Sequence, residues 1–164
     1  MQINYLGSDK FSIKTKEATI GVSSDQIDID GLIINGPGEY ERKGIFVEGV
    51  SPNGNGPVYV FRAEQITVCY LGKLKHSISD EAAKKIGDID ILITPLGEDG
   101  TISTKEVSKV ISQIDPRTVI PMLYLDIESF KKSESITGEA IDSLKIKKAD
   151  LPEEERKFYI LKEK

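Results

Sequence analysis

Through the first half of the chain, β-branched and aromatic residues come in short bursts separated by Gly, Pro, Asn and Asp, and this spacing constrains the fold more than any single motif. Such bursts read as strands joined by tight turns. Residues 3–5, 11–15, 18–22, 28–30, 32–34, 39–42, 44–50, 58–62 and 66–71 are the predicted strands, the last two forming a β-hairpin about Ala63-Glu64-Gln65. Residues 51–57, Ser-Pro-Asn-Gly-Asn-Gly-Pro, carry too many breakers for anything but a turn region.

The period then changes. Ser79-Asp80-Glu81 has the capping residue and early acids of a helix start, and Gly87 ends that helix. Residues 89–94 read as a buried strand ended by Pro95. Residues 104–114 place Val107, Val110, Ile111 and Ile114 on one helical stripe, stopped by Asp115-Pro116. With a strand at 118–122, the strand–helix–strand order predicts a parallel crossover. Residues 158–161 read as a final strand. No linker composition divides the chain, so residues 1–164 are expected to form a single domain.

Charge and rare residues exclude several functions. With 22 Lys and Arg against 27 Asp and Glu, the net charge of −5 argues against a general nucleic-acid binder. One Cys and one His allow neither an internal disulfide nor a His- or Cys-rich zinc site. The first residues have no basic, apolar leader, and the apolar runs fall short of the ~20 residues of a membrane helix, so a cytoplasmic protein without membrane contact is expected.

Individual motifs carry little chemistry. Cys69 has His76 as its only imidazole partner for thiolate formation, but its apolar strand neighbours point to a buried structural thiol. The acids of residues 25–31 fail as a calcium loop, because a register with Asp28 and Asp30 as ligands puts Pro37 where a bidentate Glu is required. Gly54-Asn55-Gly56 precedes no helix, so it reads as a turn rather than a phosphate cradle. Lys145-Ile146-Lys147-Lys148 lies beside Asp150 and Glu153-Glu154-Glu155, which reads as a solvated face with a largely cancelled field.

A set of blocks in fixed order is more specific: Tyr5-Leu6-Gly7-Ser8-Asp9-Lys10-Phe11, Asn35-Gly36-Pro37-Gly38, Tyr70-Leu71-Gly72-Lys73-Leu74-Lys75-His76, residues 87–95 and Val119-Ile120-Pro121-Met122-Leu123-Tyr124. In this order they resemble the metallo-β-lactamase superfamily, in particular its predicted zinc-dependent hydrolases related to ascorbate-6-phosphate lactonase. The resemblance runs through nearly the whole chain. It implies an α/β (α+β) fold, an αββα sandwich with the site at one edge of paired sheets, here shortened in its N-terminal half.

The resemblance also implies a zinc centre, and here the sequence departs from the family. No His-x-His-x-Asp-His loop precedes Asn35. Lys73 stands where the family has a metal-binding Asp, Leu123 where it has a His, and Ser8 where its opening motif has a His. Zinc hydrolysis needs a cation that acidifies bound water, and Leu123 has no donor atom. Lys73 is expected to offset the charge the metal supplied and to pair with a carboxylate, for which Asp9 is the candidate. Ser8, Asp9, Lys73, His76, Leu123 and Tyr124 form the expected vestigial pocket. The leading expectation is a pseudoenzyme without a cofactor that acts as a binding or scaffold subunit, in a homo-oligomer or beside an active relative. The alternative is a hydrolase or lactonase of the same fold with a rebuilt or metal-independent site. The segments 32–34 and 158–161 are the expected sources of apolar interface, with an ordinary buried strand as the alternative for each.

Overall fold

Alternate residues of the early strands are apolar. In the computed structural model, which describes residues 1–52, 56–97, 100–124 and 126–164, those residues meet the matching face of a second sheet. The strands are, in chain order, β1 (Gln2–Tyr5), β2 (Phe11–Lys14), β3 (Thr19–Val22), β4 (Ile27–Ile29), β5 (Leu32–Ile34), β6 (Gly38–Arg42), β7 (Ile45–Val50), β8 (Val58–Ala63) and β9 (Ile66–Tyr70). Then come α1 (Asp80–Ile86), β10 (Ile91–Leu96), α2 (Thr104–Ile114), β11 (Thr118–Tyr124), α3 (Ile127–Ser133), β12 (Leu144–Lys145) and β13 (Lys157–Phe158).

One sheet has the order β12-β1-β2-β3-β4-β5 and the other β13-β11-β10-β9-β8-β7-β6. The first is antiparallel throughout, whereas β9, β10, β11 and β13 run parallel in the second. Between the sheets lies an apolar layer that includes Ile3, Phe11, Ile20, Phe61, Ile93 and Met122. A second cluster lies on the outer face of the second sheet, where α1, α2 and α3 contribute Ala82, Val107, Val110 and Phe130. The mixed α+β architecture with paired sheets is therefore the expected one. Its shortening is visible in the first sheet, whose outer face carries residues such as Gln2, Ser12, Lys14 and Asp28 and no helix among the described residues.

Three local expectations are corrected. The strand thought to end at Pro95 continues to Leu96, and β11 runs through Pro121 as the predicted strand at 118–122 does. In a parallel strand, alternate residues turn their N–H groups to alternate neighbours. Ile93 and Val119 face β9 and β13, since their carbonyls accept from Leu71 and Tyr159. Pro95 and Pro121, two residues further on, face the same sides just beyond where those ladders end, so neither missing N–H breaks a ladder. The tail is not open apolar surface: Ile160 and Leu161 are buried, and residues 141 and 5 bridge to 161 and 163. Third, α3 and β12 stand where no element was predicted; Asp126 caps α3 by accepting from the Ser129 N–H. Residues 53–55 of the predicted turn lie outside the described residues. Among the described residues, no helix is long and apolar enough to cross a membrane.

The hairpin connections alternate between the two ends of the sandwich. Residues 15–18, 30–31, 43–44 and 64–65 turn at one end, where Asp90 joins the starts of three strands. Asp90, 6% exposed, accepts from the Thr67 N–H at 2.9 Å and from Lys148 Nζ at 2.8 and 2.9 Å, with Arg117 Nε at 3.8 Å. Lys148 and Arg117 are half-exposed, so screening discounts the ion pairs, and the buried carboxylate's own hydrogen bonds dominate. Asp90→Ala, which strands the Thr67 N–H and two cations, should cost about 2–3 kcal/mol in urea unfolding, and Asp90→Asn roughly half of that.

Candidate functional site

Turns 6–10, 23–26 and 35–37 of the first sheet and the segments leaving β9, β10 and β11 gather at the opposite end. The carboxyl ends of parallel strands form such a crevice by topology alone. The β1–β2 turn is closed by Leu6 N–H to Lys10 O at 2.8 Å and Lys10 N–H to Gly7 O at 3.0 Å. Gly7 has φ +88°, and the Glu163 carboxylate lies where a Cβ would project, so a larger residue is doubly excluded. Ser8 follows with φ +54° and an exposed side chain, and its carbonyl accepts from the Tyr5 hydroxyl at 2.8 Å.

Asp9 turns inward from this hairpin and is 8% exposed. Its carboxylate accepts from the Ser24 N–H at 2.8 Å, and its carbonyl accepts from the Tyr70 hydroxyl at 2.6 Å. Burial opposes its ionisation, but the Ser24 hydroxyl and N–H and the Lys73 ammonium outweigh that and hold the carboxyl below the usual carboxylate range. The Lys73 ammonium thus lies within electrostatic reach of Asp9. Tyr70, fully buried, lies 3.3 Å from the Ser24 hydroxyl, and burial pushes its phenol well above the ordinary range. Gly72, at φ +58°, lets the chain pass beside Pro57 and Ser24 on its way to Lys73.

Leu123 occupies a β-bulge. Met122 pairs with Pro95 and Tyr124 with Leu96, leaving Leu123 between them at φ +48°. The bulge turns Leu123, 2% exposed, into the layer between the sheets beside Met122, while half-buried Tyr124 faces the helix-side cluster. His76 is exposed and acts on Glu106 of the α2 capping box, a carboxyl held low by Ser103 first and by His76 in addition. Cys69 is sealed in the helix-side cluster, and burial raises its thiol, which excludes a thiolate nucleophile. Ser8, Asp9 and Lys73 therefore lie together at this end, Leu123 is buried in the layer between the sheets, and His76 is drawn toward the start of α2.

Sequence reasoning missed Ser24, Tyr70 and Tyr59 as parts of this crevice. Tyr59 lies opposite Tyr70, fully buried, and its hydroxyl has no hydrogen-bond partner among the described residues. Burial, Tyr40 and Asp25 raise its phenol. Tyr70 stood in a quoted motif as a strand residue, and alternation with Val68 was the available signal that it faces inward. For Ser24, a turn serine whose backbone serves a residue fifteen positions away, the sequence carries no signal.

Residues 8–123 match the β-lactamase superfamily domain. A UPF0173 metal-dependent hydrolase of Pyrococcus horikoshii is 28% identical over 123 residues, which cover 70% of this chain and 53% of the relative. The chain spans about half the length of the curated relatives it matches. A Thermotoga maritima structure, assigned by inference to the Zn-dependent hydrolases of the metallo-β-lactamase superfamily, superposes with a TM-score of 0.83 at 26% identity, covering 98% of both chains. A metallo hydrolase of Ignicoccus hospitalis shares the fold at a TM-score of 0.67 and 12% identity, over 89% of this chain and 99% of its own.

These relatives overturn two expectations. Proteins named metal-dependent hydrolases stand against the reading as a pseudoenzyme, and they make a metal such as zinc the cofactor that kinship implies, against the expectation of none. The sequence argument failed because it inferred loss of activity from loss of particular ligands. The crevice itself does not fit a zinc centre of the kind kinship implies. It offers the Asp9 carboxylate, the hydroxyls of Ser8, Ser24, Tyr59 and Tyr70 and the Lys73 ammonium, without imidazole or thiolate, and no cluster of three or more His, Cys, Asp or Glu suited to a metal occurs among the described residues. With its match over residues 8–123 and its full-length structural likeness, the chain belongs to the β-lactamase superfamily domain family, in the metallo-β-lactamase superfamily.

Proposed function

We propose that this protein is a hydrolase of the metallo-β-lactamase fold whose strand-end site has been rebuilt, on the branch related to ascorbate-6-phosphate lactonase. The observation that carries the reading is the full-length likeness to the Thermotoga maritima protein, in which this short form of the fold is linked with hydrolysis. The ordered blocks from Tyr5 to Tyr124 support the lactonase branch, and a lactone or related ester is the matching substrate class. The same reading takes residues 1–164 as one domain of a cytoplasmic protein that works as a homo-oligomer or beside a relative.

In ester hydrolysis water adds to the acyl carbon and the carbonyl oxygen becomes negative. A cation aimed at that oxygen lowers the barrier most in a site of restricted water access. Lys73 has this role. Asp9, ionised through the neutral range, holds the field in which Lys73 is set and is itself fixed by Ser24 and Tyr70. His76, the chain's one imidazole, stands outside the crevice, beside Glu106 at the start of α2 and three residues beyond Lys73, and in this reading it exchanges the proton of water or leaving alcohol from there.

A panel of phosphorylated and plain lactones and esters, assayed with chelator and with added zinc or manganese, tests the reading. Lys73→Ala should lower kcat/KM about 100-fold on any substrate turned over, the scale of losing one oxyanion partner. Turnover of no panel member under either condition, or turnover that neither Lys73→Ala nor His76→Ala alters, sinks the proposal.

Asp9 also sets an acid limit on stability. A carboxyl lowered by folding contributes stability above its unfolded pKa near ~3.9 and loses it as pH falls through the lower folded value. Wild-type protein should therefore melt above Asp9→Asn at pH 7, and the gap between the two melting temperatures should close as the pH is taken below about 4.

A further inference from the structure

At the end opposite the candidate site, a concavity of about 700 Å³ is lined by Met1, Gln2, the end of β2, the β8–β9 turn and the segment from β12 to Asp150. Five lysines converge there from two distant parts of the chain: Lys14 and Lys16 from β2 and its turn, and Lys145, Lys147 and Lys148 from β12 onward. Register explains the meeting, since Lys14 and Lys145 both pair with Gln2 from opposite sides.

The carboxylates beside them are already engaged. Glu64 accepts from the Lys16 N–H and the Met1 amine, and Asp150 accepts from the Lys147 N–H at 2.8 Å. Lys148 is bound to Asp90. Lys14, Lys145 and Lys147 enter no ion pair among the described residues, and Lys16 acts on Glu64 only through space beyond its backbone contact. The acids at 153–155 that were expected to cancel this field line a different concavity, beside Arg117 and Arg156.

Five lysines and the Met1 amine face only the carboxylates of Glu64 and Asp150 in this lining, so the concavity keeps a net positive charge on a protein whose net charge is −5. Lysines on an edge strand discourage strand addition, which accounts for Lys145 on β12. It does not account for Lys14 and Lys16, because β2 is paired on both sides. We propose that this concavity binds an oligophosphate of triphosphate size, with Lys14, Lys16, Lys145 and Lys147 as its phosphate contacts. Lysine serves phosphate as a mobile point charge, and the volume suits a small ligand. This site lies apart from the strand-end crevice and does not depend on the hydrolytic reading.

Titration of the full chain with sodium tripolyphosphate, followed by calorimetry and by amide chemical shifts at low salt, tests the site, with a nucleoside triphosphate as the second arm. Saturable binding that shifts residues 14–16 and 145–148, weakens with salt and falls about tenfold in Lys14→Gln/Lys145→Gln supports it. Lys147→Gln should weaken binding on its own, and Lys84→Gln/Lys85→Gln on α1 should leave it unchanged. Equal binding of both ligands places recognition in the phosphates; tighter nucleotide binding with the same lysine dependence adds a base contact to the same site. No saturable binding, equal loss in the α1 variant, or shifts centred on Lys73 and Lys75 would overturn the proposal.

Discussion

The two sheets share one apolar layer, and the need to cover it from both sides governs the rest of the molecule. Burying a branched side chain there stabilises the fold by about 1.5–3 kcal/mol, and only a strict alternation of inward and outward residues supplies enough of them. Alternation at that rate requires short strands and tight turns, and the turns then land alternately at two ends. The β1–β2 and β3–β4 turns share their end with the exits of β9, β10 and β11, so Ser8, Asp9, Ser24, Gly72 and Lys73 become neighbours although sixty-odd positions separate the extremes. The crevice is a by-product of how the layer is closed.

Each end of the sandwich carries one buried carboxylate handled by the same physics. Asp90 takes a backbone N–H from Thr67, and Asp9 takes one from Ser24. A buried charge is tolerable when fixed donors replace its water. The difference lies in the lysine. Lys148 closes directly on Asp90 and completes a structural joint, whereas Lys73 acts on Asp9 through space and keeps its exposed side chain near the crevice mouth.

The fold was largely legible because it rests on periodicity. Val107, Val110, Ile111 and Ile114 announced α2 with its observed limits, and the strand bursts announced β1 to β9. Pro95 misled because a proline is judged locally, while its tolerance depends on where the neighbouring ladder stops. The candidate site was half legible. Motif order drew attention to Ser8, Asp9 and Lys73, which do lie together, and to Leu123, which is buried between the sheets, whereas Ser24 and Tyr59 serve the crevice through contacts across strands that no spacing encodes. The direction taken by His76 was equally hidden, because it depends on a charge supplied by α2.

The bulge at position 123 has a meaning for descent as well as for packing. Left-handed backbone is several-fold more frequent for Asn, Asp and His than for aliphatic residues, so a leucine there accepts a strained main chain that its own side chain does not require. The path of the chain, rather than the identity of the residue, decides what points into the layer. An Asn at this position would ease the bulge but bring a polar group into the apolar layer, so the strand end trades backbone comfort against burial.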